Sequence, residues 1–207
     1  MAAPRLILAS ASPRRLDLLR QIGVTPALVL HPDIDETPQK DELPTVYAAR
    51  LASEKAARAA QDAQLRDGDL ILAADTVVAL GRRILPKTET EAEARRCLEL
   101  MSGRRHRVLT AVTLLAVNHK DGGGKASERL VASVVAFKRF TESEIALYLA
   151  SGEWQGKAGG YAVQGLAAAY VRFVSGSYSS VVGLPLHEVA TLLSARGIAL
   201  GQGPNGP

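Results

Sequence analysis

The sequence predicts an α/β domain: a mixed, twisted sheet flanked by helices, folded into two lobes. Three observations carry this. Short apolar runs alternate along the chain with segments whose apolar residues recur at helical spacing. The connections include a tight hairpin at Gly81-Arg82 as well as long crossovers, so the sheet needs both parallel and antiparallel neighbours. At 207 residues, 47% of them apolar, the chain can bury a sizeable core within one domain.

Residues 6–9 read as a buried strand. Pro13, with its fixed φ, suits the first turn of the following helix, and Ser12 stands where an N-cap belongs. That helix stops at Gly23. A second strand over 27–30 leads into a polar segment over 31–42. Pro44 or Thr45 then opens an Ala-rich helix reaching about residue 63. Residues 70–80 are continuously apolar apart from Asp75 and Thr76, and turn at Gly81-Arg82 into a short strand over 83–85. Thr90 and Glu93 form a capping box, and the helix after it buries Ala94, Cys97, Leu98 and Met101 on one face. Longer strands over 108–117 and 130–140 are joined by Gly122-Gly123-Gly124. Thr141 and Glu144 repeat the capping box before a short helix ending at Ala150. A glycine-rich stretch over 152–165 feeds a strand over 167–174. Pro185 opens a last helix with Leu186, Val189 and Leu193 inward, and Gly197 stops it. Residues 1–196 are expected to form the single domain, and 197–207 a flexible tail.

Composition excludes several function classes. The net charge of +4 contains no polybasic tract, and three Phe, five Tyr and one Trp form no basic–aromatic stripe, so nucleic acid is not an expected partner. The single cysteine, Cys97, rules out an internal disulfide framework or a multi-cysteine zinc site. The four histidines, His31, His106, His119 and His187, lack metal-ligand spacing. No signal-peptide pattern precedes Leu6, and no apolar run approaches the roughly 20 residues of a membrane span. A cytoplasmic protein without a membrane partner is the expectation. The run Gly122-Gly123-Gly124-Lys125-Ala126-Ser127 is not a P-loop, because His119 and Ala126 occupy required positions. A nucleophile elbow and dinucleotide-fingerprint spacing are also lacking.

The chemistry-bearing residues form a pattern. Arg14 and Arg15 at the start of a helix oppose its macrodipole. A bound anion, phosphate above all, accounts for them together with the hydroxyls of Ser10 and Ser12; a surface turn with two solvated arginines accounts for them equally well. Asp75 interrupts a strand that would otherwise be wholly buried. Taken alone it ties down a turn; taken with other charges, it needs a metal ion, a basic side chain or a substrate group. Asp33, Asp35 and Glu36 follow a strand end, where a divalent ion could collect carboxylate oxygens. Lys55 lies in the Ala-rich helix, Lys87 after the hairpin strand, and Lys157 in the glycine-rich loop near the amide of Gln164. Arg104, Arg105 and His106, at a helix end, complement its dipole. Carboxylates at strand ends with dispersed Lys and Arg suit a metal-assisted reaction at a phosphate.

Longer motifs carry a resemblance over residues 6–195. They are Leu8-Ala9-Ser10-Ala11-Ser12-Pro13-Arg14-Arg15, Glu54-Lys55-Ala56, Ala74-Asp75-Thr76-Val77-Val78 and Leu100-Met101-Ser102-Gly103-Arg104. Lys157-Ala158-Gly159-Gly160-Tyr161-Ala162-Val163-Gln164-Gly165 and Gly176-Ser177-Tyr178-Ser179-Ser180-Val181-Val182-Gly183-Leu184-Pro185-Leu186 complete the set. In these the chain resembles the Maf proteins, nucleoside triphosphate pyrophosphatases with a fold similar to the inosine triphosphate pyrophosphatases. The resemblance implies that Asp75 is the catalytic acid/base residue and that Arg14, Thr76 and Gln164 set nucleotide preference, in the pattern of the subgroup that hydrolyses dTTP and UTP. The 7-methyl-GTP subgroup typically lacks the Tyr161-to-Gly165 pattern. One departure is that Lys87 is preceded by Pro86 and followed by Thr88, where the family usually has Lys-Pro.

The expected function is a metal-dependent pyrophosphatase converting dTTP and UTP to the monophosphate and pyrophosphate. Glu36 and Asp75 are expected to hold the divalent ion, Mg²⁺ or Mn²⁺. Arg14, Arg15, Lys55, Lys87 and Lys157 are expected to neutralise the triphosphate, Ser10 and Ser12 to donate to its oxygens, and Gln164 and Thr76 to read the base. The alternative is a nucleotide-binding regulator of cell division and septum formation acting through a partner, which would have little use for Asp75 and Glu36. The resemblance also leaves a homodimer open.

Overall fold

The 11-residue apolar run forms β3 (Leu70–Leu80), and the rest of the sheet is built around it. The computed structural model describes residues 4–62, 64–118 and 124–201. Parallel to β3 lies β1 (Leu6–Ala9), with β2 (Leu28–Leu30) parallel to β1. On its other edge β3 meets β6 (Arg105–Ala116) antiparallel, followed by β7 (Ala126–Phe137) and β9 (Val171–Ser175). The order is β2-β1-β3-β6-β7-β9, and β4 (Arg83–Leu85) folds back on the end of β3. The mixed sheet predicted from the sequence is what forms.

The apolar runs lack alternation because both faces of the sheet are covered. Leu6, Leu8, Leu70 and Leu72 face α1 (Pro13–Gln21) and α6 (Leu186–Ser194), where they pack with Leu18, Leu19, Val189 and Leu193. Ile7, Ala9, Ile71 and Ala73 face the opposite way, onto α2 (Pro44–Ala59) through Ala56 and Ala59. Small residues on α2 let it approach the sheet closely. A third apolar cluster joins the far end of β3 to α3 (Glu91–Met101) and α4 (Glu142–Ala150), through Cys97, Leu98, Met101, Phe137, Tyr148 and Trp154. Both helices start on complete capping boxes, at Thr90/Glu93 and Thr141/Glu144, as the sequence predicts.

One irregularity places the site. Along the edge of β3 that faces β1, pairing with β1 covers Leu70 to Ala73, and pairing with β4 covers Val78 to Leu80. Among the described residues no strand pairs with Ala74 to Val77 on that edge, and Asp75 and Thr76 lie in this gap. The chain leaves β1 at Ala9 and enters the Ser10–Arg15 turn at the same level. A crevice beyond the carboxyl end of parallel strands is where open α/β sheets bind ligands.

Several boundaries differ from expectation. The central hairpin is longer than its apolar core, because ladder pairing carries β6 back to Arg105 and β7 back to Ala126 through polar residues. Gly122-Gly123-Gly124, expected to join them, lies outside the described residues except for Gly124, as does His119. The predicted strand over 167–174 begins as a 3₁₀ turn, Leu166–Tyr170, before β9. Three successive alanines carry little β preference, and the Glu153 carboxylate anchors the turn by accepting from the Leu166 amide at 2.8 Å. The Ala-rich helix ends at Ala59 rather than near residue 63, and Leu65 tucks back into the core. The short α5 (Tyr178–Val182) was not predicted; the Ser177 hydroxyl caps it by accepting from the Ser180 amide. Of the expected tail, Ile198 packs on the α1–α6 core and the Gly201 amide donates to the Ile22 carbonyl. Residues 202–207 lie outside the described residues.

Candidate active site

The residues given roles from the sequence line one pocket at the β3 gap, whereas Asp33 and Asp35, grouped with Glu36 as possible ion ligands, do not: Ser10, Ser12, Arg14 and Arg15 come from the first turn, Glu36 and Lys55 from the α2 side, and Asp75 and Thr76 from β3. Lys87, Lys157 and Gln164 close it from the other lobe. They divide into three walls.

The first wall is the strand-to-helix turn. Ser12 is at the N-cap with φ −84° and Pro13 follows it, but the Ser12 hydroxyl makes no capping bond. The Ser10 hydroxyl organises the turn instead, accepting from the Ser12 amide at 3.1 Å and from Arg15 Nη1 at 3.0 Å. Arg15 is buried and spans the crevice, with Nε donating to the Gly183 carbonyl at 2.8 Å and Nη2 reaching Thr76 Oγ1 at 3.4 Å. The Thr110 hydroxyl donates to the Ser180 carbonyl at 2.8 Å, so in its 3.0 Å contact with Thr76 the proton comes from Thr76. A chain therefore runs Arg15, Thr76, Thr110, Ser180. Burial lowers the pKa of Arg15, while the charge of Asp75 opposes that shift. Arg14 next to it is half-buried, and burial lowers its pKa as well.

The second wall holds the carboxylates. Asp75 is 2% exposed, and Lys55 Nζ donates to its Oδ1 at 2.5 Å. The same ammonium lies 2.7 Å from Glu36 Oε1, and Lys87 bonds the other Glu36 oxygen. Burial alone would raise the pKa of Glu36, but hydrogen bonds from Lys55 and Lys87 outweigh it and hold the carboxyl below its usual range. The Glu36 backbone is pinned by the Tyr47 hydroxyl, which donates to its carbonyl at 2.6 Å. Burial, then the charges of Asp75 and Glu36, pushes the Tyr47 phenol up to about 12. Arg50 braces the same segment through Glu42, Glu54 and the Thr37 carbonyl.

Two small strands that were not predicted build the third wall: β5 (Lys87–Thr88) and β8 (Lys157–Ala158), paired antiparallel. Thr88 is fully buried and donates to the Trp154 carbonyl at 2.7 Å, so the residue that departs from the family pattern anchors the strand that carries Lys87. Beyond Lys157 the chain turns at Gly159 and Gly160, with φ of +65° and +69°. A Cβ at Gly159 would come within 2.9 Å of Val78, so only glycine permits this approach to β3. Tyr161 and Gln164 follow into the pocket. Burial, then the charge of Arg14, lowers the pKa of Lys157.

Two of the expected phosphate ligands, Lys55 and Lys87, are thus tied to carboxylates. Arg14, Arg15 and Lys157 have no carboxylate partner among the described residues. No group of three or more His, Cys, Asp or Glu able to hold a metal occurs among those residues. Glu36 and Asp75 supply two carboxylates, which fits a hard ion that takes its remaining ligands from phosphate and water. The sequence reading missed Tyr47, Gly183 and Tyr161 as parts of the site, because a phenol on a helix face and a backbone carbonyl carry no local signature.

Residues 5–196 match the family model described as Maf-like protein. A dTTP/UTP pyrophosphatase of Caulobacter vibrioides is 58% identical over 196 residues, covering 95% of this chain and 97% of that one. A second, from Paramagnetospirillum magneticum, is 58% identical over 194 residues, covering 94% and 98%. A solved HAM1 protein structure from Coxiella burnetii covers 93% of this chain and 99% of that chain, at 18% identity and a TM-score of 0.49.

Proposed function

The chain belongs to the Maf-like protein family, and from that premise we propose that it is a nucleoside triphosphate pyrophosphatase, cleaving dTTP and UTP to the monophosphate and pyrophosphate. One observation carries the reading: a buried, oriented carboxylate, Asp75, shares a pocket with three cations that form no salt bridge among the described residues. A triphosphate supplies the missing negative charge, and a general base beside it explains why Asp75 is buried there.

In the proposed reaction Lys55 orients Asp75 through Oδ1. Oδ2, which accepts no hydrogen bond among the described residues, takes a proton from a water attacking the α-phosphorus. The new bond joins water oxygen to that phosphorus; the bond to the α–β bridging oxygen breaks, and pyrophosphate leaves. Arg14, Arg15 and Lys157 meet the charge that spreads over the phosphate oxygens, together with the N–H groups at the start of α1. Arg15 has five N–H donors and three acceptors within the protein, which leaves two for the ligand. Glu36 and Asp75 would hold a Mg²⁺ or Mn²⁺ ion, which when bound would offset triphosphate charge. Gln164 and Arg14 face the base; Thr76 acts from beneath it, since its hydroxyl proton goes to Thr110.

A cytoplasmic location is part of the same proposal; no described helix is long and apolar enough to cross a membrane. The test is a nucleotide panel with Mg²⁺ or Mn²⁺, with products resolved. Monophosphate plus pyrophosphate from dTTP and UTP is the expected outcome. Orthophosphate as first product overturns the reaction, and faster cleavage of purine triphosphates overturns only the preference.

A further inference from the structure

Behind the pocket lies a buried imidazole with half of its hydrogen bonding unmet. His106, on β6, is 2% exposed. Its Nε2 is 2.8 Å from Tyr161 Oη, while its Nδ1 has no hydrogen-bond partner among the described residues. Burial pushes its pKa down to about 4, so the ring is neutral at pH 7. The ring packs 5.2 Å from that of Phe137 and edge-on to Tyr161 at 5.4 Å. Phenylalanine would fill this space without leaving a buried nitrogen unpaired, which is destabilising. The imidazole is kept for the bond its other nitrogen makes.

What it holds is the approach to Gln164. Tyr161 lines the pocket and precedes a turn closed by the Gly165 amide donating to the Ala162 carbonyl at 3.0 Å. Gln164 sits at the third position of that turn. Its side chain is exposed and makes no hydrogen bond among the described residues, so its aim depends on the backbone beneath it. That backbone is anchored twice at its start: Tyr148 Oη accepts from the Ala162 amide at 3.2 Å, and His106 bonds Tyr161.

We propose that His106 is a positioning residue for nucleotide selection, holding Tyr161 so that the turn over 162–165 presents Gln164 to the base. The proposal rests on the pyrophosphatase reading above. Steady-state kinetics on dTTP and dATP test it, with wild type, His106→Phe, His106→Gln and Tyr161→Phe. A base contact made equally in the ground and transition states moves KM rather than kcat. His106→Phe should therefore raise KM for dTTP about tenfold, leave kcat within about twofold, and cut the dTTP-over-dATP preference about tenfold. His106→Gln, whose amide can reach the phenol, should keep most of the preference. Tyr161→Phe removes one hydroxyl and should reproduce the loss, and the double variant should be no worse than either single one. Should His106→Phe not fold, Tyr161→Phe decides alone. Unchanged preference in the folded variants overturns the proposal, as does an equal fall in kcat on both nucleotides with a lowered Tm, which marks the pair as packing only. An active wild type with unshifted variants defeats this proposal alone, whereas a wild type that cleaves no triphosphate defeats the underlying reading and this proposal with it.

Discussion

The two charged walls of the pocket face each other but are built on opposite plans. Arg14, Arg15 and Lys157 form no salt bridge among the described residues, whereas Glu36 and Asp75 are already met by Lys55 and Lys87. The first group of cations is left for a ligand; in the second, each carboxylate is held by a lysine. Charge in a site therefore has two uses. In the proposed reaction the unmatched cations bind the triphosphate, and the matched ones hold the carboxylates at fixed positions in a setting where an unpaired charge is costly.

The largest effect separating the walls is expected at Asp75. Asp75→Asn keeps the shape but removes the base, so turnover should fall by about 10³-fold while nucleotide binding persists. Full activity in that variant would dissolve the distinction. Lys55→Met tests the closed wall through stability. It leaves a buried carboxylate uncompensated, with an expected cost of about 3–5 kcal/mol in denaturant unfolding. Adding Asp75→Asn should return part of that loss, and simple additivity of the two would show that the pair is not coupled.

Arg14→Ala probes the open wall and should behave oppositely. Stability should change by less than about 0.5 kcal/mol, since no partner is stranded, while KM for the triphosphate rises. A large stability loss would place Arg14 in the framework instead.

The smallest effect is acid sensitivity. Glu36 has its pKa depressed in the fold, so its contribution is fully present above the unfolded value near 4.5 and is lost as pH falls through the lower folded one. Stability measured downward from pH 5 should fall less steeply in Glu36→Gln than in wild type, and equal slopes would detach Glu36 from the lysines.

Local signals were the legible ones. β3, its Gly81 hairpin and both capping boxes lie where their residues predict, because each is specified within a few neighbouring positions. Asp75 was equally visible, since charge inside an apolar run is conspicuous, whereas Arg14, Thr76 and Gln164 took their roles from the family resemblance. The turn over 166–170 and the length of the central hairpin were not legible. Those depended on Glu153 thirteen residues away and on pairing between strands.

By itself, then, the sequence determined the longer strands and helices, the mixed sheet and the inventory of charges, since periodicity, caps and glycine turns act over short range. Only the tertiary structure decided how that inventory divides. Arg14 and Arg15 are adjacent and chemically identical, yet the side chain of one makes no hydrogen bond among the described residues and the other is bonded to Gly183, Ser10 and Thr76. Lys55 reads as a phosphate ligand until α2 packs on β3 and sets its ammonium between two carboxylates. Hydrogen bonding and burial depend on what lies across the crevice: Asp75 stands 20 residues from Lys55 in the chain, and Gly183 stands 168 from Arg15.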